Sequence, residues 1–156
     1  MADVEFLDLR DGGDGGDVGE GEAVAGMGFD AVLGGQGGGI GQALAKKAAN
    51  ALGMQVIYHN RRQLSNEQEM AGMQSGTRMN YCASLDELLA KSDAVSLNCP
   101  LTPETRHLIS DAQFAKMKRT AVLINTARGP VVDEEALVRA LQQETIAGAG
   151  LDVYEH

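Results

Sequence analysis

The chain of 156 residues has no tryptophan, three prolines and two cysteines, and only 4% of it is aromatic. With so little aromatic bulk, a core has to be filled by aliphatic side chains, and a hydrophobic content of 44% allows that. A domain of this length can bury roughly two-thirds of its surface. Cys82 and Cys99 are too few for a disulfide framework and lack metal-ligand spacing, so a reducing, cytoplasmic setting is the default and no metal site is expected. No apolar run approaches the roughly 18 residues that a membrane span needs. The acidic N-terminus is unlike a secretory or organelle signal.

Basic residues are also scarce where acids crowd. Residues 1–30 hold nine acids against the single base Arg10, so most of the net charge of −9 lies there. The rest of the chain is nearly neutral and has no basic stripe, which argues against a nucleic-acid partner. Glycines are interspersed with those carboxylates, among them Gly12, Gly13, Gly15 and Gly16. Glycine loses the most backbone entropy on folding, and clustered carboxylates repel one another. Residues 1–30 therefore read as an acidic, glycine-rich tail expected to be poorly ordered, and residues 31–156 as the folded domain.

What is present from residue 31 onward is a regular alternation. Short apolar runs suit strands at Ala31–Leu33, Gln55–Tyr58, Arg78–Tyr81, Ala94–Leu97, Ala121–Ile124 and Ile146–Leu151. Helical text separates them at Gln42–Leu52, Leu64–Met70, from Ser84 onward, at Asp111–Met117 and from Asp133 to about Leu141. Gly53 is a stop for the first helix. Ser84 with Glu87 three residues on forms the N-terminal capping signal of a helix. The strands are apolar rather than alternating, as strands buried on both faces are. The pattern predicts an α/β domain, a doubly wound parallel sheet of the Rossmann type.

Between the first strand and the first helix stands Gln36–Gly37–Gly38–Gly39–Ile40–Gly41. A G-x-G-x-x-G turn at this place lets backbone approach a pyrophosphate, whose charge then sits on the helix N-terminus. Counting back from Gly41, the second glycine of the pattern is Gly38 and the first falls on Gln36, so the strict spacing fails by one residue. A one-residue deletion would restore Gly37 and Gly39 as the first two glycines. The position that grips the ribose lies about twenty residues beyond the glycines. There the chain has Asn60, followed by Arg61 and Arg62. A carboxylate would repel a 2′-phosphate, whereas a neutral amide with two guanidiniums attracts one. NADP is thus favoured as cofactor, with NAD as the alternative.

From Asn98 onward the text becomes specific. Asn98–Cys99–Pro100–Leu101–Thr102–Pro103–Glu104–Thr105–Arg106, then Asn125–Thr126–Ala127–Arg128–Gly129, then Gly150–Leu151–Asp152–Val153 resemble three motifs of the D-2-hydroxyacid dehydrogenase family, in that family's order. Tyr58–His59–Asn60–Arg61–Arg62 is similar to its NADP-preferring glyoxylate/hydroxypyruvate reductase branch. The resemblance spans about residues 32–155. It implies reversible hydride transfer between a nicotinamide and a 2-keto or 2-hydroxy acid. It also implies that Arg128 is catalytic, holding the substrate carboxylate and polarising the carbonyl, a task suited to a bidentate guanidinium. Cys99, Pro100 and Thr105 would line the adenosine and phosphate side, and Thr126, Ala127 and Asp152 would place the nicotinamide.

The same resemblance exposes departures. The carbonyl oxygen needs a proton when hydride arrives. In the family a His oriented by a Glu supplies it, and that Glu would fall one position past His156, with the His further on. His59 and His107 are expected to be ordinary surface residues, and Glu155 comes two residues early for the orienting role. Family members also have a substrate domain and a helical dimer arm, and residues 1–31 look too short and glycine-rich for either. Gly34 and Gly35 leave the first strand thin. The expectation is an incomplete nucleotide-binding domain, inactive as these residues alone. The alternative is a non-catalytic dinucleotide-sensing or interaction module, like the family's co-repressor relatives. The abrupt change of composition near Ala31 also leaves open that residues 1–31 are foreign to the family.

Overall fold

The computed structural model describes residues 24–27, 30–31, 39–61, 63–67 and 79–155. Its strands are β1 (Val24–Met27), β2 (Asp30–Ala31), β3 (Gln55–His59), β4 (Met79–Tyr81), β5 (Ala94–Leu97), β6 (Val122–Asn125) and β7 (Gly148–Leu151). Its helices are α1 (Gly39–Leu52), α2 (Leu85–Lys91), α3 (Asp111–Phe114) and α4 (Glu134–Gln142), with a 3-10 turn at Gly129–Val131. All seven strands form one sheet in the order β2-β3-β1-β5-β6-β7, with β4 also paired to β3.

The doubly wound frame is as the alternation predicts. Strand β4 pairs parallel to β3, β6 parallel to β5, and β7 parallel to β6. Strands β3 and β5 both run antiparallel to β1 and therefore parallel to each other.

Ala31 of the first expected strand lies in β2, parallel to β3, whereas β1 is a strand beyond those expected and runs antiparallel to its neighbours. β1 lies between β3 and β5, ahead of the first expected strand in the chain. Only two residues separate β1 from β2, which pairs parallel to β3. So short a connection permits reversal and excludes a parallel crossover, which accounts for the one antiparallel strand. Residues 1–23 and Val32–Gly38, including Leu33 and the thin-strand glycines, lie outside the described residues.

Helix α1 begins at Gly39, one turn before the predicted start. Gly53 ends it with φ of 66°, the left-handed backbone that a helix stop needs. Of the helix expected at Leu64–Met70, Leu64 and Ser65 are not helical, Asn66 and Glu67 are, and residues 68–70 lie outside the described residues. The core is aliphatic. Leu88 and Leu89 of α2, Val95 and Leu97 of β5, Leu123 of β6 and Ile109 are fully buried, with Tyr58 and Phe114 the largest buried rings. Each such burial contributes about 1.5–3 kcal/mol. Among the described residues, no helix is long and apolar enough to cross a membrane.

Candidate functional site

Because β3, β5, β6 and β7 share one direction, their carboxyl ends lie along one edge of the sheet, where open α/β sheets bind ligands. Asn60 and Arg61 follow β3, Cys99 and Pro100 follow β5, Thr126 to Arg128 follow β6, and Asp152 follows β7. Gly39, Ile40 and Gly41 form the first turn of α1, which carries no acidic residue and so leaves the positive helix end free of an internal counter-charge. Gly37, Gly38 and Arg62 lie outside the described residues.

At the β3 end, Asn60 is only 4% exposed, and among the described residues neither its Nδ2 nor its Oδ1 has a hydrogen-bond partner. A buried amide left in that state costs about 1–3 kcal/mol. A ribose diol, which both donates and accepts, matches what the amide offers. Arg61 is exposed. It lies close enough to Glu104 to help hold that carboxyl below its ordinary range, after the Thr102 hydroxyl and the Glu104 backbone amide. These residues fit the adenosine end of a dinucleotide.

The loop after β5 is shaped from within. The Thr105 hydroxyl, 2% exposed as a residue, donates to the Pro100 carbonyl at 2.7 Å and accepts from the Thr102 amide at 2.7 Å. Thr105 therefore builds the loop. Cys99 is buried too, as a packing residue. Cys82, after β4, has its thiol pushed up by burial and then by Glu87.

At the β6 end, Asn125 is 1% exposed and fully engaged. Its Nδ2 donates to the Arg128 carbonyl at 3.0 Å, and its Oδ1 accepts from the Ala127 amide at 3.1 Å. Its own carbonyl accepts from the Asp152 amide at 3.0 Å, which ties β6 to the segment after β7. The Arg128 side chain is exposed, and its guanidinium donates to the Ala127 carbonyl at 2.6 Å. Among the described residues no carboxylate pairs with it, so it is free to take an anionic ligand. Thr126 and Asp152 are exposed beside it.

A cluster that sequence reasoning set aside adjoins this end. The Glu155 carboxylate, 8% exposed, pairs with the Arg106 guanidinium and accepts from His107 Nε2 at 2.9 Å. The Glu155 amide donates to the Glu134 carboxylate. His107 has φ of 52°, and its amide donates to the Pro130 carbonyl at 2.8 Å. A Cβ built on Gly129 would lie 1.9 Å from the Tyr154 carbonyl oxygen, so the segment 152–155 crosses that glycine with no space between. His107, expected to be an ordinary surface residue, is therefore a clamp partner. Arg106 and His107 are almost fifty residues from Glu155, so no local signal announces the pairing.

The parallel frame, the helix N-terminus and the residues along one carboxyl edge define a dinucleotide-binding domain of the Rossmann type. Residues 31–156 match the family described as D-isomer specific 2-hydroxyacid dehydrogenase, NAD binding domain. The chain belongs to that family. It is 50% identical over 117 residues to glyoxylate/hydroxypyruvate reductase B of Klebsiella pneumoniae subsp. pneumoniae, covering 75% of this chain and 34% of that protein. A crystal structure of a glyoxylate reductase from Paecilomyes thermophila superposes with a TM-score of 0.67 at 50% identity, covering 76% of this chain and 34% of the other. The holo form of Rhodotorula graminis D-mandelate dehydrogenase superposes with a TM-score of 0.69 at 40% identity, covering 80% and 34%. The chain thus spans about a third of the length of the relatives it matches.

Proposed function

We propose that this domain binds NADP in preference to NAD and presents Arg128 to the carboxylate of a small 2-keto acid such as glyoxylate or hydroxypyruvate. The observation that carries the reading is the buried, unpartnered amide of Asn60 next to the exposed Arg61. The amide serves the ribose, and the guanidinium, with Arg62 beside it in sequence, serves a 2′-phosphate. The first turn of α1 holds the pyrophosphate, with Gly37 and Gly38 leading into it and Gly39, Ile40 and Gly41 within it. Cys99, Pro100 and Thr105 form the adenosine wall, while Thr126, Ala127 and Asp152 set the nicotinamide end.

When bound, the nicotinamide supplies the hydride. The chain's own part is to orient the acceptor. Arg128 holds the keto acid's carboxylate through two parallel hydrogen bonds and draws electron density from the adjacent carbonyl, in a loop that Asn125 keeps rigid. The proton for the carbonyl oxygen requires an acid that we assign to none of the histidines described. The 156 residues expressed alone therefore bind dinucleotide without reducing keto acid. Cys82 and Cys99 are buried and form no disulfide, which accords with a reducing compartment, and we place the protein in the cytoplasm.

The test is a titration of NADPH and, separately, NADH, followed by coenzyme fluorescence, with wild type and Arg61→Ala. Saturable binding with NADPH preferred is expected. Arg61→Ala raises the NADPH Kd about tenfold and the NADH Kd less than about twofold, since a charge-assisted bond is lost for only one ligand. Equal losses for both dinucleotides would show that Arg61 does not read the 2′-phosphate.

A further inference from the structure

The turn that carries Asn60 and Arg61 is tied down at both ends by tyrosine hydroxyls. Tyr58, in the middle of β3, is fully buried. Its hydroxyl accepts from the Leu64 amide at 3.0 Å, a buried bond that closes the turn from residue 58 to residue 64. Leu64 is itself 6% exposed, so the exit of the turn is anchored in the core. Tyr81, the register partner of Tyr58 on β4, lies with its ring 5.3 Å from the Tyr58 ring. Its hydroxyl donates to the Asn60 carbonyl at 3.2 Å and so fixes the entrance. The backbone joins in: the Cys82 amide donates to the Tyr58 carbonyl at 2.7 Å, and His59 Nδ1 meets the Cys82 carbonyl at 2.9 Å.

We propose that the Tyr58 hydroxyl is a positioning group for dinucleotide selectivity: by holding Leu64 it fixes the exit of the turn, and with it the guanidinium of Arg61 that reads the 2′-phosphate. The inference rests on the NADP reading given above. Its logic is one of location. The unpartnered amide of Asn60 meets a ribose present in both NADPH and NADH, and Tyr81 holds that residue directly. Arg61 meets a phosphate present in NADPH alone, and it lies on the stretch between Asn60 and the Leu64 anchor. A guanidinium on a loosened turn has to be ordered at the moment of binding, and that cost falls only on the ligand it contacts. The two hydroxyls therefore act on different quantities. Tyr81 sets affinity for both dinucleotides, and Tyr58 sets the ratio between them.

Tyr58→Phe and Tyr81→Phe each remove one oxygen and keep the ring. Both are titrated against NADPH and NADH beside wild type, with melting curves as the check on folding. The expected result for Tyr58→Phe is a fall of about fivefold in the NADPH-to-NADH affinity ratio, the worth of one neutral hydrogen bond, with NADH binding within about twofold of wild type. Tyr81→Phe weakens both ligands by a common factor. A Tyr58→Phe variant whose ratio is unchanged, whether or not both affinities drop, overturns the proposal. So does a Tyr81→Phe variant that shifts the ratio, and this arm decides alone if Tyr58→Phe does not fold. Wild type with no preference for NADPH removes the underlying reading, whereas wild-type preference retained in Tyr58→Phe removes only this inference.

Discussion

Asn60 and Asn125 stand at the carboxyl ends of two strands that run in the same direction, and both are almost completely buried, at 4% and 1% exposure. Asn125 has both ends of its amide satisfied by the backbone of the loop it shapes. Among the described residues, neither end of the Asn60 amide is satisfied. Leaving a buried polar group unmet is unfavourable by about 1–3 kcal/mol, so folds keep such groups where something else meets them. The difference separates two kinds of site construction. The β6–β7 end is braced by the chain itself, through Asn125 and the clamp on Glu155, and this holds Arg128 ready on a stiff loop. On the function proposed above, the amide at the β3 end is kept for the ribose of a dinucleotide.

If the β6–β7 end is braced as described, it should be the more fragile to substitution without ligand. Gly129→Ala is expected to have the largest effect. Its Cβ would stand 1.9 Å from the Tyr154 carbonyl oxygen and 2.5 Å from the Glu155 amide nitrogen, so backbone must shift. We expect a loss of about 3 kcal/mol in chemical denaturation, at the upper end of overpacking penalties. A variant as stable as wild type would show that the segment 152–155 does not rest on Gly129, and the contrast between the two ends would fail. Glu155→Gln comes next. It removes the charge that faces Arg106 and His107 while keeping the shape. The carboxylate is buried, but Arg106 and His107 are 54% and 38% exposed, so screening limits the loss to about 1 kcal/mol. No change on melting would mark the clamp as ornamental to stability.

The parts of the fold that were legible in the sequence are those specified locally. Ser84 is legible as a cap because a hydroxyl before an apolar run, with Glu three residues on, suits a helix start, and its Oγ accepts from the Glu87 amide at 3.2 Å. The reciprocal bond is one residue displaced, since Glu87 takes the Ala83 amide. Strand β5 lies where its apolar run ends, at the Asn98–Cys99–Pro100 motif. The Asn125–Arg128 motif was legible as text, though not the reason for its asparagine, which is a pair of backbone bonds. Strand β1 was hidden because four residues, Val-Ala-Gly-Met, have too little side chain to stand out from an acidic, glycine-rich stretch. The clamp was hidden for a different reason. Arg106 and His107 meet Glu155 only because the loop after β5 and the segment after β7 converge in space, and no periodicity records that.

The smallest expected effect sharpens the contrast from the open end. Glu104 lies in the loop after β5 and is exposed. Its carboxyl is held below the ordinary range first by the Thr102 hydroxyl, then by its own backbone amide, and by Arg61. A lowered pKa means the group stays ionised throughout the neutral range, well above the usual carboxylate value of about 4.3. Electrostatic influence is mutual: if Arg61 favours the Glu104 charge, Glu104 offsets part of the Arg61 field that a 2′-phosphate would meet. Glu104→Gln should then tighten NADPH binding by about twofold at low salt, with the gain shrinking as salt is added and NADH left unchanged. The same tightening for NADH would place Glu104 near the shared part of the ligand. No change in either would separate the loop after β5 from the phosphate site, leaving Arg61 and the turn held by Tyr58 and Tyr81 as the whole of the selective surface.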